Sequence, residues 1–264
     1  MLKLQAIALL RASALLLLIF CAAAQAATQP ITNLPLQAEG DNRWRLPAGE
    51  YQGSFSVDQP MHIRCEPGAI FQAQGQGNGL LISAPDVTIE GCTLLDWGRD
   101  LTAMNSAIFI QPKAHGALIK DNRLQGAGFG IWVDGTTDVS LLGNSIQGDP
   151  SIRSQDRGNG IHLYAVHGAK VVGNQVREAR DGIYIDTSNG NLLEGNVLED
   201  VRYGVHYMFA NDNQVLRNIT RRTRTGYALM QSRKLTVIGN RSEQDENYGS
   251  LLNWSTDSDQ GRNA

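Results

Sequence analysis

Four consecutive stretches of the chain are copies of one another. "GIHLYAVHGAKVVGNQV" is followed by "GIYIDTSNGNLLEGNVL", "GVHYMFANDNQVLRNIT" and "GYALMQSRKLTVIGNRS". Their leading residues, Gly160, Gly182, Gly204 and Gly226, lie 22 apart, as do the trailing Asn174, Asn196, Asn218 and Asn240. Gly130 and Asn144 make an earlier copy, separated by an insert around "GDPSIRSQDRGNG". Looser copies run back through Ala107 to Asn122, Gly79 to Cys92 and Gly53 to Cys65. A 22-residue unit with short alternating runs and no helical periodicity is one coil of an all-β parallel β-helix. Each coil adds ~4.8 Å, the spacing between neighbouring strands.

Alternation then assigns the side chains. Ile131/Val133, Ile161/Leu163, Ile183/Ile185, Val205/Tyr207 and Tyr227/Leu229 face inward. Leu141, Val171, Leu193, Val215 and Val237 form a second inward column. Ile146, Val176 and Leu198 form a third, which fades to Thr220 and Ser242. The recurrent Asn falls where a coil must bend, so its amide can bond the turn and its copy one coil away. Cys65 and Cys92 occupy this column on adjacent coils, within Cα reach of a disulfide; a bridge or two buried thiols both fit. Residues 27–52 read as an N-terminal cap with the first strands, 53–253 as the β-helix, and 254–264 as an irregular tail with no capping element.

The first 26 residues read as a secretory signal peptide: Lys3 and Arg11, an apolar run, then Ala24-Gln25-Ala26. Its removal takes no acid, leaving 21 basic against 26 acidic residues, a charge near −5. That balance argues against nucleic-acid binding. No metalloprotease, Walker A or nucleophile-elbow motif occurs.

The outward residues carry the chemistry. Two after each Gly stand Trp132, His162, Tyr184, His206 and Ala228; four after stand Asp134, Tyr164, Asp186, Met208 and Met230. An open solvent face would carry Thr, Ser, Lys and Glu instead. His206 and Met208 share one strand face, and Met230 is the vertical neighbour of Met208. Imidazole plus two thioethers is a soft donor set that favours Cu(I) over Zn or Mg. His162 lies two coils from His206 and belongs to a second site or to none. The bland alternative is that the Met pair merely covers apolar area. A competing reading uses Asp134 and Asp186, two coils apart, for sugar binding or cleavage. "RRTRTG" at 221–226 reads as a basic, solvated edge.

The run from "GNGIHLYAVHGAKVVGNQV" to "GVHYMFANDN", with "YALMQSRKLTVIGNRS" and "NYGSLLN", closely resembles the NosD family of periplasmic copper-handling proteins, maturation factors for the copper centres of nitrous oxide reductase. The resemblance spans about residues 30–253. It implies a right-handed parallel β-helix, a non-catalytic periplasmic scaffold, transient copper, and several partners. These are the ATPase and membrane subunits of an ABC transporter, a copper-donating lipoprotein and the apo reductase. Family members continue for several coils past "NYGSLLN", so a C-terminally truncated copy is expected.

Overall fold

The computed structural model describes residues 27–264; the expected signal peptide lies outside them. The chain winds as a right-handed parallel β-helix of about 11 turns. Its strands stack into three sheets of ten, eleven and nine strands. Coils such as Tyr203–Met208, Gln214–Leu216 and Ile219–Arg221 contribute one strand to each sheet, and the next coil repeats the set at Thr225–Met230, Thr236–Ile238 and Arg241–Glu243. Pairing is parallel and in repeat register, with Val205 beside Tyr227 and Val215 beside Val237. The one antiparallel pair among the described residues is Gln37–Gly40 with Arg43–Leu46.

The inward columns form a single core. Ile131, Ile161, Ile183 and Val205 are fully buried, as are Leu141, Val171, Leu193 and Val215. The third column turns polar as the repeats fade. Thr220 is fully buried and shares a 2.7 Å hydrogen bond with Ser242, and the inward Tyr227 hydroxyl donates to the Asn218 carbonyl at 2.8 Å.

The corner between the second and third sheets is held by an asparagine ladder. The Oδ1 of Asn196 accepts from the backbone N–H of Asn174 at 2.9 Å and from its Nδ2 at 3.0 Å. Its own Nδ2 donates to the Asn218 Oδ1 and to the Val171 carbonyl, both at 2.8 Å. The same pattern runs from Asn122 to Asn263. Below Asn122 the column continues as Cys92, whose N–H donates to the Asn122 Oδ1 at 2.9 Å. Cys92 is disulfide-bonded to Cys65 across a Cα separation of 5.0 Å. A covalent link thus takes the place of the amide contact between the first coils.

The leading glycines are needed for close approach. A Cβ on Gly182 would lie 2.6 Å from the Gly204 carbonyl oxygen and 3.1 Å from Leu198. Gly204 meets Thr220 and the Gly226 carbonyl in the same way.

Arg43–Leu46 and Gly49–Gln52 pair in parallel with His62–Cys65 and Ala69–Gln72, inside the stretch read as cap and first strands. Asp259–Gly261 pairs with Thr236–Ile238, inside the stretch read as an irregular tail. That last coil keeps the 14-residue Gly-to-Asn offset, from Gly249 to Asn263, but carries Gln260 in the column of Val237.

Two substitutions test the packing. Asn196→Ala strands a buried N–H and a buried carbonyl, and is expected to cost at least about 2 kcal/mol in urea denaturation. Gly182→Ala pushes a methyl into the next coil's backbone, and is expected to cost about 1–3 kcal/mol by the same measurement.

Candidate functional site

The Gly-led strands bring the outward residues into one column. Trp132 pairs with His162, His162 with Tyr184, Tyr184 with His206, and His206 with Ala228. The rings follow one another as a ladder, tilted at 3.9 Å between centroids (Trp132–His162) and edge to face at 4.6 Å (His162–Tyr184) and 4.5 Å (Tyr184–His206). Phe109 continues it beyond Trp132 at 6.4 Å.

This column is covered, which corrects its reading as an open outward face. Trp132, His162 and His206 are each only 8% exposed. Phe109, Phe129 and Trp132 form a second apolar cluster outside the coil, with Leu81, Leu101 and Met104 packed against it. The segment carrying Leu101 and Met104 lies outside the repeat register, so period-2 counting could not place it over the strands.

His206 is held by a residue that sequence reasoning missed. Its Nδ1 lies 3.0 Å from the Asp181 Oδ2, and Arg202 donates to the same carboxylate through Nε at 2.8 Å and an Nη at 2.7 Å. Arg202 also lies 4.6 Å over the Tyr203 ring. Asp181 is fully buried. Burial pushes its carboxyl up, but the hydrogen bonds from Arg202 and His206 outweigh that and hold it below the usual carboxylate range. An ionised carboxylate only accepts, so Nδ1 carries a proton, and Nε2 is the ring nitrogen left to serve as a ligand. Carboxylate–imidazole pairs of this kind fix the orientation and tautomer of metal-binding histidines.

Alternation counted from the glycine places Asp181 inward, with Ile183. The structure departs from that count because Gly182 itself faces the core, against Leu198. Two successive residues therefore point inside, and Asp181 falls onto the same outer face as His206. The visible signal was a lone acid at the position before the glycine, where the other coils carry Phe129, Asn159, Tyr203 and Thr225.

Met208 and Met230 are direct register partners on adjacent strands, with Asp186 before them and Asn253 after. Both are half-buried. His206, two residues before Met208, thus belongs to the same patch of sheet. His162 does not, because the Tyr184 ring stands between the two imidazoles. Burial pushes the His162 imidazole down to about 3, keeping it neutral. Its Nδ1 is 3.2 Å from the Asn159 Nδ2. Among the described residues no three His, Cys, Asp or Glu side chains cluster to hold a metal.

The remaining candidates are accounted for locally. Asp134 and Asp186 are two coils apart with Tyr164 between them. Burial raises the Asp134 carboxyl. His62 bonds Glu90 at 2.9 Å, whereas His115 and His167 are exposed. The basic edge is paired: Arg221 meets Glu199 and Glu243, each at 3.0 Å, and Arg222 meets Asp200 at 2.7 Å.

Comparison with known proteins bears on this site. The family described as "Periplasmic copper-binding protein (NosD)" matches residues 142–263, a stretch that includes His162, Asp181, Arg202, His206, Met208 and Met230. The "Probable ABC transporter binding protein NosD" of Stutzerimonas stutzeri is 74% identical over 241 residues, covering 91% of this chain and 55% of that protein. A Pseudomonas aeruginosa protein of the same description is 55% identical over 101 residues, covering 38% of this chain and 93% of that one. The chain therefore spans little more than half the length of its longer curated relative. A bacteriophage CBA120 tailspike protein 2 domain shares the fold, with a TM-score of 0.56 at 10% identity over 83% of this chain and 37% of that one. No helix among the described residues is long and apolar enough to cross a membrane. With a β-helix whose copies match at this identity, the chain belongs to the NosD family of periplasmic copper-binding proteins.

Proposed function

We propose that the chain receives Cu(I) in the periplasm and passes it on during assembly of the copper centres of nitrous oxide reductase. What supports this reading is an imidazole oriented by Asp181 on the same strand as Met208, whose register partner is Met230. His206 is tethered at Nδ1 by Asp181, which leaves Nε2 as the coordinating nitrogen, and Met208 and Met230 occupy adjacent rungs of the same sheet. One nitrogen and two sulfurs suit a soft monovalent ion. Neutral thioethers bring no charge to compensate the ion, which favours release to an acceptor with anionic ligands. His162, held away by Tyr184, is not part of this set.

The ion is cargo here. It would arrive from a copper-donating lipoprotein and leave for the apo reductase. An ABC transporter, an ATPase with membrane subunits, would work alongside, in keeping with the name borne by the relatives. The role is that of an accessory scaffold rather than an enzyme.

Competition against a chromogenic Cu(I) chelator tests the assignment. The wild-type chain is expected to withdraw copper from the chelator, and the triple substitution His206→Gln, Met208→Leu, Met230→Leu to leave it there. Equal competition by both would remove these three residues as ligands. Asp181→Asn keeps the shape of the tether but abolishes its charge, and is expected to weaken Cu(I) affinity about 10- to 100-fold in the same assay.

A further inference from the structure

Beside the His–Met patch, the ring ladder borders a cleft of about 360 Å³. Its walls include Trp132, Asn159, His162, Arg180 and Tyr184, together with Asp186 and the Asp181–Arg202–His206 cluster described above. Four buried polar atoms in this one cleft have no hydrogen-bond partner: the Trp132 Nε1, the Asn159 Oδ1, the His162 Nε2 and the Arg180 Nε. They are half of the eight such side-chain atoms among the described residues. Leaving a buried polar group unpaired costs about 1–3 kcal/mol each, so their convergence points to a missing partner.

The orphan atoms also state its chemistry. With the Asn159 Nδ2 donating to the His162 Nδ1, the unused groups are three N–H donors (Trp132, His162 Nε2, Arg180) and one acceptor, the Asn159 oxygen. Reversing the amide exchanges the roles of Asn159 and His162 and leaves the count at three donors and one acceptor. Arg180 has no carboxylate partner among the described residues, whereas the neighbouring Asp181 is already spent on Arg202 and His206. Trp132 and His162 lie tilted against each other with ring centroids 3.9 Å apart, and the N–H edge of each ring carries positive potential. Asp186 lies five residues along the strand from Asp181, roughly 16 Å away, where its carboxylate can accept from a hydroxyl.

We infer that this cleft binds a small hydroxylated carboxylate, a hydroxy acid or a uronate, with the carboxylate on Arg180, Trp132 and His162 and a hydroxyl on the Asn159 amide. The cleft shares a wall with the His–Met patch, because His206 and its partners Asp181 and Arg202 also line it. The ligand's carboxylate supplies acceptors for all three donors, and its hydroxyl satisfies the remaining acceptor.

Isothermal titration of the purified chain with gluconate and with digalacturonate, in the presence of a Cu(I) chelator, tests the inference independently of copper. Binding of either, with glucose silent, supports it, and the tighter of the two identifies the source as a free hydroxy acid or a sugar acid. Arg180→Gln removes the cation and Trp132→Phe removes one N–H while keeping the ring. Each is expected to weaken binding tenfold or more with an unchanged thermal midpoint. Absence of heat with both acids, glucose binding as tightly as digalacturonate, or unaltered affinity in both variants overturns the inference. Cu(I) competition is run with no acid present and the titration with copper chelated, so failure of one reading is told apart from failure of the other although His206 lines the cleft.

Discussion

Everything about this molecule depends on coils stacking in strict register, and the contact that enforces register is the buried asparagine ladder. An in-line amide can bond only its copy one coil away; a slip by one residue would move the amide out of the corner and turn a row of aliphatics to the solvent. The leading glycines add a steric condition at the other side of the coil, since a Cβ there strikes the next coil's carbonyl. The ladder and the glycines share the same 22-residue period because they solve the same problem at two corners. Where the Asn column gives out, at Cys92 and Cys65, a disulfide holds the coils instead.

Register then turns local sequence into a site. Residues 22 apart in the chain become neighbours about 4.8 Å apart, so Met208 and Met230 meet without any loop having to position them. His206 joins them by its own strand geometry. The orienting carboxylate comes from Asp181, on the coil before, and is itself neutralised by Arg202, on the same coil as His206. Three adjacent coils therefore contribute to one patch. A buried carboxylate is tolerated there because it accepts three hydrogen bonds; removing Arg202 would leave it far more costly to hold.

How much of this could be read from the chain follows from the same physics. Period-2 alternation and the fixed spacing made the fold, the three inward columns and the Met208–Met230 pairing legible, since each depends only on position within a repeat. Asp181 was not, because the bend at Gly182 breaks alternation for a single residue. The covering of Trp132 and His162 was not, because Leu101 and Met104 come from a segment with no repeat copy. The strand at Asp259–Gly261 was read as irregular tail for a related reason: it pairs like a coil but carries Gln260 where the preceding coil has Val237. Periodicity thus reports the regular part of a solenoid, and its exceptions gather around the site.

X-ray absorption at the copper edge of the Cu(I)-loaded chain is the most direct measurement of whether stacked coils build the ion's environment. A shell of one nitrogen and two sulfurs, reduced to a single sulfur by Met230→Leu alone, is the predicted result. A shell of nitrogen and oxygen only, or one that Met230→Leu leaves unchanged, would contradict it.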